Sequence, residues 1–86
     1  MEPTEANLTA VNALVSSMAR TDHFPFEPEA RAALALAFIQ AFPDVNGASV
    51  AVGDFLRRSS ECPSAHDVWL AARAAGYQPS ADARIA

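Results

Sequence analysis

Residues 28–42 read PEARAALALAFIQAF, and this stretch decides the fold. Pro28 suits the first turn of an α-helix, and the apolar residues after it recur at helical spacing. One stripe along this helix consists of Ala30, Leu34, Ala37, Phe38, Ala41 and Phe42. Leu36 and Ile39 project away from the stripe, so we expect the helix either to be central or to present these two side chains to a partner.

Further helices are predicted on either side of this one. Thr4 starts the first helix as its N-cap, and an amphipathic pattern continues to about Arg20. After a turn at residues 43–47, a third helix is expected from about Ala48 to Arg58, and a capping box of Ser64 and Asp67 starts a fourth that ends at Gly76 and Tyr77. Gly53 inside the third helix indicates either close approach of a neighbouring helix or a tolerated weakness.

The fold class expected from this pattern is all-α, a compact bundle of four short helices. A chain of 86 residues has room for one hydrophobic core, so we assign residues 1–78 to a single domain and residues 79–86 to a flexible tail. Many of the apolar residues are alanines, which favour helix but bury little area each. Core area is therefore scarce, and self-association is a candidate source of stability.

Charge and cysteine content restrict the class of protein. The formal charge is −4 with no lysine, and the excess acid lies in residues 1–47, which makes nucleic acid an unfavoured partner. One cysteine forms no intrachain disulfide, and no basic leader followed by an apolar run opens the chain. We therefore expect a cytoplasmic protein without a membrane segment.

Residue types that occur in catalytic and metal-binding sites are present, but they do not form a complete set. Cys62 and His66 flank the start of the fourth helix, but the capping turn directs His66 outward, so a thiol–imidazole pair is not expected. His23 is far from His66 in the sequence and Cys62 has no second thiol beside it, which disfavours a metal site. We predict no catalytic residues, no metal and no cofactor.

Residues for binding a protein partner are easier to nominate. Phe24 and Phe26, in the proline-stiffened segment TDHFPFEP, act either as staples that close the core or as anchors for a partner. The full set of candidates is Phe24, Phe26, Leu36, Ile39, Arg57, Arg58, Trp69 and Arg73. The three arginines form a basic spot near Trp69 only if Asp54 does not pair locally with one of them, and that local pairing is the preferred interpretation. Of Trp69 and Leu70, one is expected at an interface.

A resemblance to a known family begins at the second helix. Phe42-Pro43-Asp44-Val45, Ala51-Val52 with Phe55-Leu56, and Cys62-Pro63-Ser64 with Asp67-Val68 follow one another at distances that resemble the helical domain of bacteriophage replicative-helicase loader/inhibitor proteins. This resemblance covers about half of the chain. It implies an adaptor that engages a hexameric helicase and an origin-binding initiator by binding alone, so no catalytic residues are carried over. The family also uses a longer region after the helices, of which only about ten residues are present here.

The sequence therefore favours a small non-enzymatic adaptor or inhibitor of phage or prophage type that binds a protein, with a replicative helicase as candidate partner. Three alternatives stay open. The first is an inhibitor of a host defence complex. The second is a helical DNA-binding protein that uses Arg57, Arg58 and Arg73, and the third is a homo-oligomer that buries Leu36, Ile39 and Val50 between copies.

Overall fold

The computed structural model describes residues 1–77, and these form four helices. They are α1 (Glu5–Ser16), α2 (Pro28–Ala41), α3 (Val45–Arg58) and α4 (Ala65–Ala74). The expected all-α bundle of four short helices is thus confirmed over the described range. Residue 78 and the predicted tail, residues 79–86, lie outside that range. No single helix within residues 1–77 is long and apolar enough to cross a membrane; α2 and α3 meet the same length and composition test only as a pair bent by 120°.

The helix starts follow from their capping residues. The Thr4 hydroxyl accepts from the Asn7 N–H at 3.2 Å, as predicted. The predicted capping box at α4 is also present, since the Ser64 hydroxyl accepts from the Asp67 N–H and the Asp67 carboxylate accepts from the Ser64 N–H. These bonds satisfy amide groups that a bare helix end would leave without partners.

The start predicted for α3 is wrong by one turn. The Asp44 carboxylate accepts from the Gly47 N–H at 2.8 Å, which makes Asp44 the N-cap and starts the helix at Val45 instead of Ala48. Asn46 and Gly47 are turn formers in isolation, but the cap places them in the first helical turn.

The predicted helix ends have different outcomes at α1 and α4. The predicted end of α1 near Arg20 is too late, because α1 stops at Ser16 and the next residues form tighter turns with i→i−3 bonds, such as Met18 N–H to the Val15 carbonyl. At α4, Gly76 has a φ of 90°, and two bonds to the Ala72 and Arg73 carbonyls complete a Schellman motif. The predicted stop at Gly76 is confirmed.

Helix α2 occupies the centre of the bundle. It packs against α1 on one side and α4 on the other, while α3 packs mainly against α1 and meets α4 along a smaller contact. The α-ammonium group of Met1 closes the end of α2 by donating to the carbonyls of Ile39 and Phe42 at 2.6 and 2.7 Å. Favourable interaction with the negative end of the helix dipole is the physical reason for this arrangement.

The core combines a few large side chains with many small ones. Its buried apolar residues are Val11, Val15, Met18, Phe24, Leu34, Ala35, Phe38, Ile39, Ala41, Phe42, Ala48, Ala51, Val52, Val68 and Ala72. Phe38 is at the centre, stacked with Phe42 at 6.0 Å and edge-on to Phe55 at 6.5 Å between ring centroids. Phe55 and Trp69 are only partly buried.

Candidate functional site

An apolar groove opens between α3 and α4, and we call it the α3–α4 groove. It exists because α3 lies mainly on α1 and separates from α4 over much of their length. The cavity measures about 260 Å³. Its lining consists of Phe42, Asn46, Gly47, Val50, Ala51, Asp54, Phe55, Arg58, Ala71, Ala74, Ala75 and Tyr77.

The closed end of the groove is formed by an aromatic contact above the start of α3. The Tyr77 ring meets the Phe42 ring edge-on, with centroids 5.6 Å apart. Gly47 lies beneath the Tyr77 hydroxyl, and a Cβ atom at Gly47 would come within 3.1 Å of that oxygen. The absence of a side chain at Gly47 therefore lets the residue after the α4 cap pack against α3.

The two walls of the groove differ in character. On α4 the wall consists of Ala71, Ala74 and Ala75, whose short side chains leave the helix surface nearly smooth. On α3 the wall carries Val50, which is 59% exposed, and the half-buried Phe55. An incoming side chain can thus contact apolar atoms on both sides.

Charge at the groove is confined to one rim. Asp54 forms an ion pair with Arg57 three residues further along α3, as the preferred interpretation predicted. Arg58 lines the groove, and within residues 1–77 it forms no ion pair. The rim therefore presents a neutralised pair followed by one guanidinium group.

The other predicted arginine lies elsewhere. The Arg73 guanidinium lies 4.9 Å from the centroid of the Trp69 ring, and the His66 ring stacks on the same indole at 6.1 Å. Since successive residues turn by 100°, Trp69 points about 160° away from Ala71, which faces the groove. Arg58 and Arg73 are thus on different flanks of α4, and the predicted basic spot around Trp69 contains Arg73 without Arg58.

Trp69 itself is partly buried, and its indole Nε1 is shielded from solvent without a hydrogen-bond partner in the described part of the chain. An indole N–H is a donor only, so this leaves one buried donor unsatisfied. Leu70 is the more exposed of the two neighbours, and it lines a second cavity together with Phe55 and Arg58 of α3.

The two aromatic candidates of the α1–α2 connector separate into two roles. Phe24 is 7% exposed and belongs to the core, which agrees with the staple interpretation, whereas Phe26 is 67% exposed. Their rings meet edge-on at 5.0 Å. Phe24 is therefore not available as a surface anchor, and Phe26 is.

The two candidates on α2 also separate. Leu36 is 47% exposed, but Ile39 is only 2% exposed, so Ile39 follows the central alternative and is wrong as a partner-binding candidate. Because α1 and α4 flank α2, the buried arc of this helix is wide enough to include Ile39. Leu36 lies further around the helix, outside this buried arc.

Cys62 does not form the pair with His66 that a nucleophile would need. Its thiol donates to the Pro63 carbonyl at 3.7 Å, while the His66 ring is stacked on Trp69. Burial raises the pKa of the Cys62 thiol, and a hydrogen bond with Thr21 opposes this only in part. A raised pKa keeps the sulfur protonated and therefore less nucleophilic at neutral pH.

The loop that carries Cys62 is tied to the α1–α2 connector. Asp22 and Glu61 form an isolated parallel bridge, and the His23 imidazole lies 3.1 Å from the Glu61 carboxylate. His23 has a φ of 62°, a left-handed conformation that is unusual for a residue with a side chain. Within residues 1–77 no group of three or more His, Cys, Asp or Glu side chains is arranged to hold a metal ion.

Sequence reasoning missed the groove. Helical spacing places Val68, Ala71, Ala72 and Ala75 on one face of α4, which predicts tight packing through all four. Val68 and Ala72 do so, but Ala71 and Ala75 line the groove instead. The available signal was Val50, which shares a face of α3 with Asp54 and Arg57 and was considered only as a residue buried in a homo-oligomer.

Comparison with protein-family models, with curated proteins and with solved structures found no match to this chain. The resemblance to the phage helicase loaders therefore stays a prediction.

Proposed function

We propose that the protein is a non-enzymatic binding module that engages another protein through the α3–α4 groove. The observation that carries this proposal is the groove itself, in which Val50 and the half-buried Phe55 face an alanine wall across open space. A domain of this size has little apolar surface to spare. A contiguous apolar groove with Asp54 and Arg58 at its rim has the character of an interaction site.

The extended form of the groove favours a protein over a small molecule. Beside this cavity of about 260 Å³ lies a second one of about 380 Å³ that shares Phe55, Arg58, Ala71 and Ala74, so the depression continues along the surface and is not a single closed pocket. It matches a few anchor side chains of a partner, which is how most binding energy is distributed at protein interfaces.

The finer proposal is an adaptor or inhibitor of phage or prophage type, with a replicative helicase as candidate partner. It is supported by the resemblance of the stretches around Phe42, Phe55 and Ser64 to the loader proteins. The alternative partner is a host defence complex, for which the small size and acidic charge are equally suitable.

A capture experiment tests both levels of the proposal. Tagged wild-type protein and two folded variants, Val50→Asp and Leu36→Asp, are used as baits in lysate of the source organism, and captured proteins are identified by mass spectrometry. A partner lost with Val50→Asp and retained with Leu36→Asp supports the groove. A partner that behaves in the opposite way places the interface on the outer face of α2 and contradicts it.

The identity of the captured protein decides the finer proposal. A helicase or an initiator supports the adaptor proposal, whereas a defence complex supports the alternative. If only the bait is recovered and it sediments as a dimer, the homo-oligomer explanation replaces both.

A further inference from the structure

The α3–α4 groove has the length of a short helix. Its α3 wall extends from Asn46 to Arg58, a rise of about 18 Å, whereas its α4 wall from Ala71 to Ala75 covers about 6 Å. Three turns of a partner helix cover the length of the α3 wall. The opposite wall of Ala71, Ala74 and Ala75 lacks large side chains, so the backbone of a helix can approach α4 closely.

An extended peptide fits this site less well. Peptides that bind in extended form usually add a strand to a sheet edge, which supplies partners for their backbone N–H and C=O groups. The groove walls within residues 1–77 are helices, whose own backbone groups are already bonded. A helix satisfies its backbone internally, so it enters an apolar groove without leaving unpaired groups.

The charge at the rim of the groove indicates which charge a partner would carry at that position. Asp54 is neutralised by Arg57, and Arg58 is the groove cation that forms no ion pair in the described part of the chain. A guanidinium group binds a carboxylate through two parallel hydrogen bonds, which gives geometric specificity as well as attraction. An acidic side chain at the edge of the partner's apolar face would meet Arg58.

We infer that the partner of the α3–α4 groove is an amphipathic helix of about three turns, with apolar residues at i and i+3 or i+4 and an acidic residue facing Arg58. This rests on the proposed function, because it specifies what the groove binds. The apolar residues fill the space beside Val50, and the cavity volume of about 260 Å³ limits them to two or three side chains.

A selection from a displayed library of random 16-residue peptides tests this inference with wild-type protein as bait. We expect enriched peptides to share the apolar i, i+3 or i+4 pattern with an acidic residue beside it. The best peptide, synthesised and titrated, should gain helicity on binding, as measured by circular dichroism. Arg58→Glu should weaken the binding of this peptide at least tenfold. The control Arg20→Glu, in the turns that follow α1, should leave binding unchanged.

A charge-swapped peptide adds a second readout. Replacing its acidic residue by arginine should abolish binding to the wild type and restore binding to Arg58→Glu. Enriched peptides that are basic, rich in proline or insensitive to Arg58→Glu would overturn the inference. Two further results would overturn the inference, because the groove would then have another occupant. One is self-association of the wild type that is lost in Val50→Asp, and the other is peptide binding that is seen only after the chain is truncated behind Tyr77.

The two proposals fail in different ways. If a natural partner is lost with Val50→Asp but not with Arg58→Glu, the groove binds a protein. In that case only the inference that the partner is a helix with an acidic residue facing Arg58 is contradicted. If Val50→Asp affects neither the natural partner nor any selected peptide, the proposed function falls as well.

Discussion

Replacing Gly53 by alanine should stabilise the protein. Gly53 lies in the interior of α3, and a Cβ atom built on it meets no other atom within 4 Å. Glycine is less favourable than alanine in a helix interior by about 1 kcal/mol, because it loses more backbone freedom on folding. With no clash to offset that gain, the free energy of unfolding should rise by about 0.7 to 1 kcal/mol.

Urea unfolding followed by far-UV circular dichroism measures this change. For a slope of about 1 to 1.5 kcal/mol per molar urea, the midpoint should move up by about 0.5 to 1 M, with the slope unchanged. Gly76→Ala is the matched control. Its φ of 90° is a left-handed conformation that disfavours a residue with a side chain by about 1 to 2 kcal/mol, so the same exchange should lower the midpoint there.

The result that would refute this reasoning is a lower midpoint for Gly53→Ala. It would mean that another backbone packs against Gly53, as in the close-approach interpretation of the sequence. Because residues 1–77 leave that space open, the approaching backbone would lie outside them, and a midpoint that depends on protein concentration would identify it as a second copy.

Four further outcomes are expected. Ile39→Asp should prevent folding, since it buries an unpaired carboxylate at a position that is 2% exposed, whereas Leu36→Asp should leave the circular dichroism spectrum and melting temperature nearly unchanged. Ser64→Ala removes the capping box and should cost about 1 kcal/mol in urea unfolding. Because the pKa of Cys62 is raised in the folded state, the native thiol stays protonated at a pH at which the unfolded thiol, with a pKa of 9.0, ionises. The free energy of unfolding should therefore fall as pH rises above 9.0, and a Cys62→Ala variant should lack this pH dependence. Ala74→Leu should fill part of the groove and raise the melting temperature while weakening partner capture.

Local signals account for the parts of the fold that were predicted. The start of α4 depends on Ser64 and Asp67, three residues apart, and its end on Gly76, so a short window contains the whole determinant. The start of α3 was missed for a local reason too. Asn46 and Gly47 were read as a turn, although Asp44 just before them is a good N-cap.

Errors in burial have a different origin. The helical spacing of 100° per residue states which side chains of α2 share a face, but not how wide the buried face is. That width depends on how many helices pack against α2. With α1 and α4 on its two flanks, Ile39 is buried and Leu36 is not, and no pattern within residues 28–41 distinguishes the two cases.

The groove is harder still to predict, because it results from the same composition that makes the helices stable. Alanine favours helix while offering little area for packing, so Ala71, Ala74 and Ala75 hold α4 in shape without drawing α3 onto it. Larger residues at these positions would close the bundle and bury Val50. A chain that leaves them small keeps an open apolar surface at the cost of core area, and the proposed binding function depends on that surface.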